Sequence, residues 1–178
     1  MEQAADLAAR LEARIRDVQD FPIPGIVFKD ITPILQSPEG FHDAIEALVA
    51  LYDPDSYDVI VGLESRGFVF GAPVAYAMRR GFVPVRKLGK LPAAKISIDY
   101  ALEYGTNTLE MHEDGVAPGQ RALIVDDLLA TGGTCRAAFD LVERVGGVVA
   151  GAAFLIELGF LNGRERLTGY EARSVLQL

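Results

Sequence analysis

ALIVDDLLATGGTCRAA, residues 122–138, runs an apolar segment straight into two adjacent carboxylates, Asp126 and Asp127, and then into two threonines bracketing two glycines. A short apolar run closed by a turn is the pattern of a strand buried on both faces, as strands of parallel sheets are. A helix is predicted from about Thr134 to Val145, and Gly146-Gly147 stops it. VVAGAAFLIEL (148–158) then supplies a second buried strand, so the whole segment reads as a βαβ unit.

Working upstream, a similar unit appears. YDVIVGL (57–63) is a β-branched run, ESRG turns the chain, a helix extends from about Phe68 to Arg80, and FVPVRK (82–87) follows as a strand. Between the units, LGKLPAAKISIDYALEYGTN (88–107) has weak periodicity and mixed charge. It predicts a long loop acting as a mobile lid, leading into an antiparallel excursion with TLEMHE (108–113) as its return strand. Near the start, Ala4, Leu7, Ala8, Leu11, Ile15 and Val18 recur at helical spacing and predict one amphipathic helix over residues 3–18. FPIPGIVFKDITP (21–33) carries a Pro24-Gly25 turn, and Phe41, Ala44, Ile45, Leu48 and Val49 mark a further helix. The expectation is a single domain over residues 1–178, an α/β fold with an open, mostly parallel sheet flanked by helices and a small antiparallel lid excursion.

The bulk numbers narrow the function. A formal net charge of −8 weighs against a protein built to hold nucleic acid. Cys135 is the only cysteine, which excludes an intrachain disulfide and points to a reducing, cytoplasmic setting. Glu2, Asp6 and Glu12 interrupt any signal-peptide core, and no uncharged apolar run reaches the roughly 20 residues of a membrane helix. Two histidines and one cysteine make no zinc pattern.

In an open α/β sheet, ligands bind beyond the carboxyl ends of the strands. Asp126 and Asp127 fall there, with Ala130, Thr131, Gly132, Gly133 and Thr134 just after them. The glycines permit close backbone approach, Thr134 is a candidate N-cap, and the helix start offers free N–H groups to a phosphate. Neither G-x-x-x-x-G-K-[ST] nor G-x-G-x-x-G occurs, which sets aside the usual triphosphate and dinucleotide loops. A carboxylate pair and a phosphate repel one another, so the ligand must separate them. Ribose does so: its 2′- and 3′-hydroxyls donate to the carboxylates while its 5′-phosphate occupies the loop. A serine nucleophile at Ser65 is disfavoured, because Gly62 stands three residues before it where G-x-S-x-G needs two.

VDDLLATGGT resembles the phosphoribosyl-pyrophosphate (PRPP) signature of the type I phosphoribosyltransferases. FPIPGIVFKDITP, GLESRGFVFG, RKLGKLP and LEYG are similar to stretches of the adenine-specific branch of that family, and together they cover nearly the whole chain from Phe21 onward. The resemblance implies a type I phosphoribosyltransferase fold that makes AMP and pyrophosphate from adenine and PRPP. It implies that Asp126 and Asp127 hold the ribose hydroxyls, and that Ala130, Thr131, Gly132, Gly133 and Thr134 hold the 5′-phosphate. Arg66, Arg86, Lys87 and Lys90 would meet the pyrophosphate, some of them across to a neighbouring subunit. Val27, Phe28 and Lys29 would bind adenine, with lysine at position 29 where several relatives carry arginine. Glu103 would act as general acid/base at the purine's N7. The resemblance further implies a homodimer and Mg²⁺ held mainly by substrate oxygens, with no protein metal cage.

Overall fold

The computed structural model describes residues 2–101 and 106–178, in two units, Met1–Ala47 and Leu48–Leu178. In the first unit, α1 (Glu2–Glu12) ends six residues short of the predicted helix. Arg16–Gln19 is instead a strand, β1, paired antiparallel with β2 (Val27–Asp30), so that Val18 stands opposite Phe28. The helical spacing of Ile15 and Val18 is overridden by this pairing and by two ion pairs across it. Arg16 donates to Asp30 (Nε–Oδ2, 2.9 Å) and Lys29 to Asp17 (Nζ–Oδ1, 2.8 Å). Asp30 also accepts from the Thr32 N–H and hydroxyl, and these bonds with Arg16 hold its pKa down at about 2. The short α2 (Thr32–Gln36) and the longer α3 (Pro38–Val49) follow. α3 carries the predicted apolar positions, with Ala44, Ala47 and Leu48 buried.

The second unit is built on a seven-stranded sheet. β3 (Val59–Leu63), α4 (Arg66–Ala77) and β4 (Gly81–Lys87) form the upstream βαβ unit. β5 (Lys95–Ala101) and β6 (Thr106–His112) form the antiparallel excursion. β7 (Arg121–Leu129), α5 (Gly133–Arg144) and β8 (Val148–Glu157) form the second βαβ unit, and β9 (Ala172–Gln177) closes the chain. The spatial order is β5-β6-β4-β3-β7-β8-β9. The four pairings from β4 to β9 are parallel, and the two at the β5–β6 edge are antiparallel.

The expected long loop is therefore shorter than its sequence suggested. Lys95–Ala101 is a strand whose Ile96, Ile98 and Tyr100 alternate inward onto the core, with Ser97 and Asp99 between them. β9 and β1 are likewise strands beyond those predicted.

Every residue of β3 is buried, which is why it reads as an unbroken apolar run. Val59, Val61 and Leu63 share one cluster with Ala138, Leu141 and Val142 of α5. On the other face, Gly71 of α4 stands against Gly62 and Ile60. The two crossover helices thus cover opposite faces of the sheet. Burying each large apolar side chain contributes about 1.5–3 kcal/mol, so the two-sided cover is the main force holding β3 and β7 at the centre. Both strands run the same way, and their carboxyl ends deliver Glu64-Ser65-Arg66 and Asp126–Thr134 to one edge. No helix among the described residues is long and apolar enough to cross a membrane.

Candidate functional site

That edge encloses a cavity of about 500 Å³, lined by Glu64, Arg66 and Lys87 on one side and by Asp126, Asp127 and Ala130–Thr134 on the other. The acidic pair and the threonine-glycine loop, neighbours in sequence, thus face the same space. Asp127 is 5% exposed and Asp126 half-buried. Arg66 Nε approaches Asp127 Oδ2 at 2.7 Å, and the Asp127 N–H donates to Asp126 Oδ1 at 2.9 Å. Burial raises the pKa of both acids. Their mutual repulsion pushes Asp126 further, well above the ordinary 3.8, whereas Arg66 offsets part of the rise at Asp127. A buried, under-solvated carboxylate is a strong acceptor for any hydroxyl that enters.

The loop after β7 is shaped by two glycines far apart in sequence. Gly132 has φ +80°, the left-handed region, and a Cβ there would stand 2.3 Å from the Gly163 carbonyl oxygen. Gly132 is also the N-cap of α5, so Thr134 sits inside the first turn and is not the cap expected from sequence. The helix's first N–H groups have no intrahelical acceptor and open into the cavity with the positive end of the helix dipole. The Thr134 hydroxyl lies 3.4 Å from the Tyr100 hydroxyl. Cys135, in the same turn, is buried, and desolvation followed by the nearby Asp126 raises its thiol pKa well above normal. Those are the surroundings of a packing residue and not of an activated thiolate.

Glu64 behaves differently from the aspartates. Burial works against its charge, but the Lys87 N–H (3.0 Å) and Arg86 Nε (3.1 Å) donate to Oε2 and hold its pKa below the ordinary value. The Glu64–Ser65 peptide is cis. Of the four cations grouped by sequence, Arg66 and Lys87 line the cavity and the other two do not. Arg86 is committed to Glu64 and to the Lys90 carbonyl, and Lys90 is exposed. Val27, Phe28 and Lys29 lie on β2 in the other unit. There Phe28 meets Phe21 edge-on (centroids 5.1 Å apart), Val27 is exposed, and the Lys29 ammonium is engaged by Asp17. Glu103 lies outside the described residues.

Sequence reasoning missed Tyr100 and Asn107, which line the cavity from the β5–β6 hairpin, and Gly163, which packs beneath the loop. For Tyr100 a signal existed in the alternation of KISIDYA. For Gly163 none did, since its partner is more than thirty residues away.

Residues 30–171 match the phosphoribosyl transferase domain family. The adenine phosphoribosyltransferase of Thermobifida fusca is 53% identical over 172 residues, covering 97% of this chain and 98% of that protein. A crystal structure of adenine phosphoribosyltransferase from Thermoanaerobacter pseudethanolicus superimposes with a TM-score of 0.94 at 51% identity, covering 96% of this chain and 99% of that one. The Saccharomyces cerevisiae enzyme, crystallised with D-2,5-dideoxy-2,5-imino-altritol 1,6-bisphosphate and adenine, does so with a TM-score of 0.89 at 37% identity, covering 97% of this chain and 99% of that one. The match over residues 30–171 and these likenesses place the chain in the phosphoribosyltransferase family, among its adenine phosphoribosyltransferases.

Proposed function

We propose that the chain transfers the 5-phosphoribosyl group of PRPP to adenine, giving AMP and pyrophosphate, a purine-salvage reaction. The observation that carries this is that Asp126, Asp127 and the Ala130–Thr134 loop line one cavity, so that a ligand there meets the acid pair and the loop together. Asp126 and Asp127 accept from the ribose 2′- and 3′-hydroxyls. The backbone of Ala130–Gly133 and the hydroxyls of Thr131 and Thr134 take the 5′-phosphate at the start of α5. Arg66, at the start of α4, and Lys87, at the end of β4, face the same space and receive the pyrophosphate as its charge develops.

Breaking the C1′–O bond builds positive charge on the ribose ring while the base nitrogen closes on C1′. Ionised carboxylates close to that ring favour the transition state over the neutral ground state. Val27, Phe28 and Lys29 are assigned to adenine, Phe28 by ring stacking and the other two through their backbone groups. The Lys29 side chain, held by Asp17, plays little part. Glu103 is assigned the proton exchange at N7, and residues 88–107 the exclusion of water from the cationic sugar. Mg²⁺ would be held mainly by the oxygens of PRPP, with the hard oxygens of Asp126 and Asp127 nearby. Bound there, the ion supplies charge neutralisation to the departing pyrophosphate.

The assembly is proposed to be a cytoplasmic homodimer acting apart from nucleic acid and membrane. The acidic net charge supports the lack of a nucleic-acid partner, and Val69 and Tyr76, exposed two turns apart on α4, offer a second copy an apolar face. Lys90, exposed and outside the lining of its own cavity, would then serve the neighbouring one, while Arg86 stays with Glu64.

The test is AMP formation by purified protein with PRPP and Mg²⁺, offered adenine, hypoxanthine, guanine and orotate in parallel. Strong preference for adenine is expected. Turnover of another base would keep the PRPP site and overturn the assignment of Phe28 and its neighbours.

A further inference from the structure

The loop after β7 does not hold its shape alone. Gly132 and Gly163 meet backbone to backbone: a Cβ on Gly163 would stand 2.2 Å from the Ala130 carbonyl oxygen, and one on Gly132 would stand 2.3 Å from the Gly163 carbonyl oxygen. Gly163 opens a 3-10 turn, Gly163–Leu167, and that turn is pinned by its second residue. Arg164 makes a bidentate pair with Glu157 (Nε–Oε1 and Nη2–Oε2, both 2.6 Å) and also donates to the Ala172 carbonyl. Glu157 is 4% exposed, ends β8, and accepts a further bond from the Ser174 hydroxyl at 2.7 Å. These bonds with Arg164 and Ser174 outweigh burial and hold Glu157 ionised, with its pKa below the ordinary value.

We propose that the Gly163 turn, clamped by the Arg164–Glu157–Ser174 network, is a buttress that sets the height of the Ala130–Gly133 backbone, making Gly163 and Arg164 positioning residues for PRPP. This rests on the reading of that loop as the 5′-phosphate site. The physics is direct. A loop that binds through backbone N–H groups has no side chain to adjust, so its donors are only as well placed as the surface beneath them. Both glycines are needed because any side chain at either contact would lift the loop off the turn. A planar guanidinium fork on a buried carboxylate fixes the turn in distance and in angle together. An ammonium at position 164 holds the charge but not the angle. Gly163, Arg164, Glu157 and Ser174 do not line the cavity, so their effect must travel through the loop.

The experiment compares Gly163→Ala, Arg164→Lys and Asp126→Asn for PRPP KM, adenine KM at saturating PRPP, kcat and Tm. Gly163→Ala should raise PRPP KM about ten-fold or more, since displacements near 1 Å are felt on that scale. Adenine KM should move less than about two-fold. Arg164→Lys should show an intermediate rise and Arg164→Ala a larger one, a graded response that a merely structural role would not give. Wild-type PRPP KM in both Gly163→Ala and Arg164→Lys overturns the buttress, as does an equal rise in both KM values or a fall in Tm alone. Where Asp126→Asn impairs PRPP binding beside an unaffected Gly163→Ala, the buttress alone falls. Where Asp126→Asn is also without effect, the phosphoribosyl site falls with it.

Discussion

Among the described residues three carboxylates line the same cavity, and the protein treats them in opposite ways. Glu64, at the end of β3, receives two donors from β4 and is held below its ordinary pKa. Asp126 and Asp127, at the end of the neighbouring β7, share one close cation between them and are held above theirs. The strands are adjacent, parallel and followed by similar helices, so topology does not explain the contrast. Supply of donors does. Glu64 is satisfied by the fold, and the aspartates are left for a ligand to satisfy. The difference separates an acid that braces the site from acids that work in it.

The largest effect that sharpens this contrast belongs to Asp126→Asn. Losing charge-assisted acceptance from a ribose hydroxyl removes about 1.5–3 kcal/mol, or roughly 10- to 100-fold in kcat/KM for PRPP. The same variant should be more stable than wild type at neutral pH. The sign follows from linkage: a carboxyl whose folded pKa is raised above 3.8 destabilises the fold when ionised. The penalty is absent below that ordinary value and grows as pH rises towards the folded pKa, so the gain in Tm should increase with rising pH and vanish in acid. A variant both less active and more stable is the signature of an acid kept for function. Equal loss of activity and stability would instead class Asp126 with Glu64.

Next in size is Gly132→Ala, which tests the loop the aspartates lead into. The left-handed conformation at Gly132 costs an alanine about 1–2 kcal/mol, and its Cβ would also meet the Gly163 carbonyl at 2.3 Å. PRPP KM should rise about ten-fold or more while adenine KM changes little, read by steady-state kinetics with each substrate varied in turn. A wild-type PRPP KM would mean that the loop relaxes freely and that its shape is not what binds.

Much of this contrast was legible in the sequence, and the part that was not has a common cause. Asp126, Asp127 and the TGG loop are contiguous, so their proximity cost no inference, and Gly146-Gly147 marked the end of α5, whereas α4 stops at Ala77, three residues before the predicted Arg80. β5 was passed over because its alternation holds only three apolar residues, Ile96, Ile98 and Tyr100. β1 was hidden because Ile15 and Val18 continue the helical spacing of α1 by coincidence, and only the pairing with β2 reveals the break. Arg86 was grouped with Lys87 and Lys90 by proximity, yet its partner is Glu64, twenty-two residues back across a parallel strand pair. Linear spacing exposes what one turn or one strand end brings together. It does not show which charge another strand has already claimed.

The smallest expected effect, and the one most able to break the comparison, is that of Glu64→Gln. The amide keeps an acceptor for the Lys87 N–H but leaves the Arg86 guanidinium without its countercharge. PRPP and adenine turnover should fall by less than about ten-fold, the change coming from a loosened β3–β4 edge. Tm should drop by about 2–4 °C at neutral pH, the response of a chain this size to roughly 1 kcal/mol. The pH dependence must run opposite to that of Asp126→Asn. A carboxylate whose folded pKa lies below the ordinary 4.5 contributes stability above that value and loses it as pH falls through the folded pKa. Wild type should therefore exceed Glu64→Gln in Tm across pH 6–8, and the two should converge as pH falls through the folded pKa and the carboxylate is protonated. Calorimetry of the two variants beside wild type over pH 3–8 gives both curves, one difference positive and one negative, each closing in acid. If Glu64→Gln instead gained stability at neutral pH and lost activity a hundred-fold, the donors from β4 would not be holding that carboxylate, and Glu64 would stand with the aspartates as a third acid turned toward the ligand.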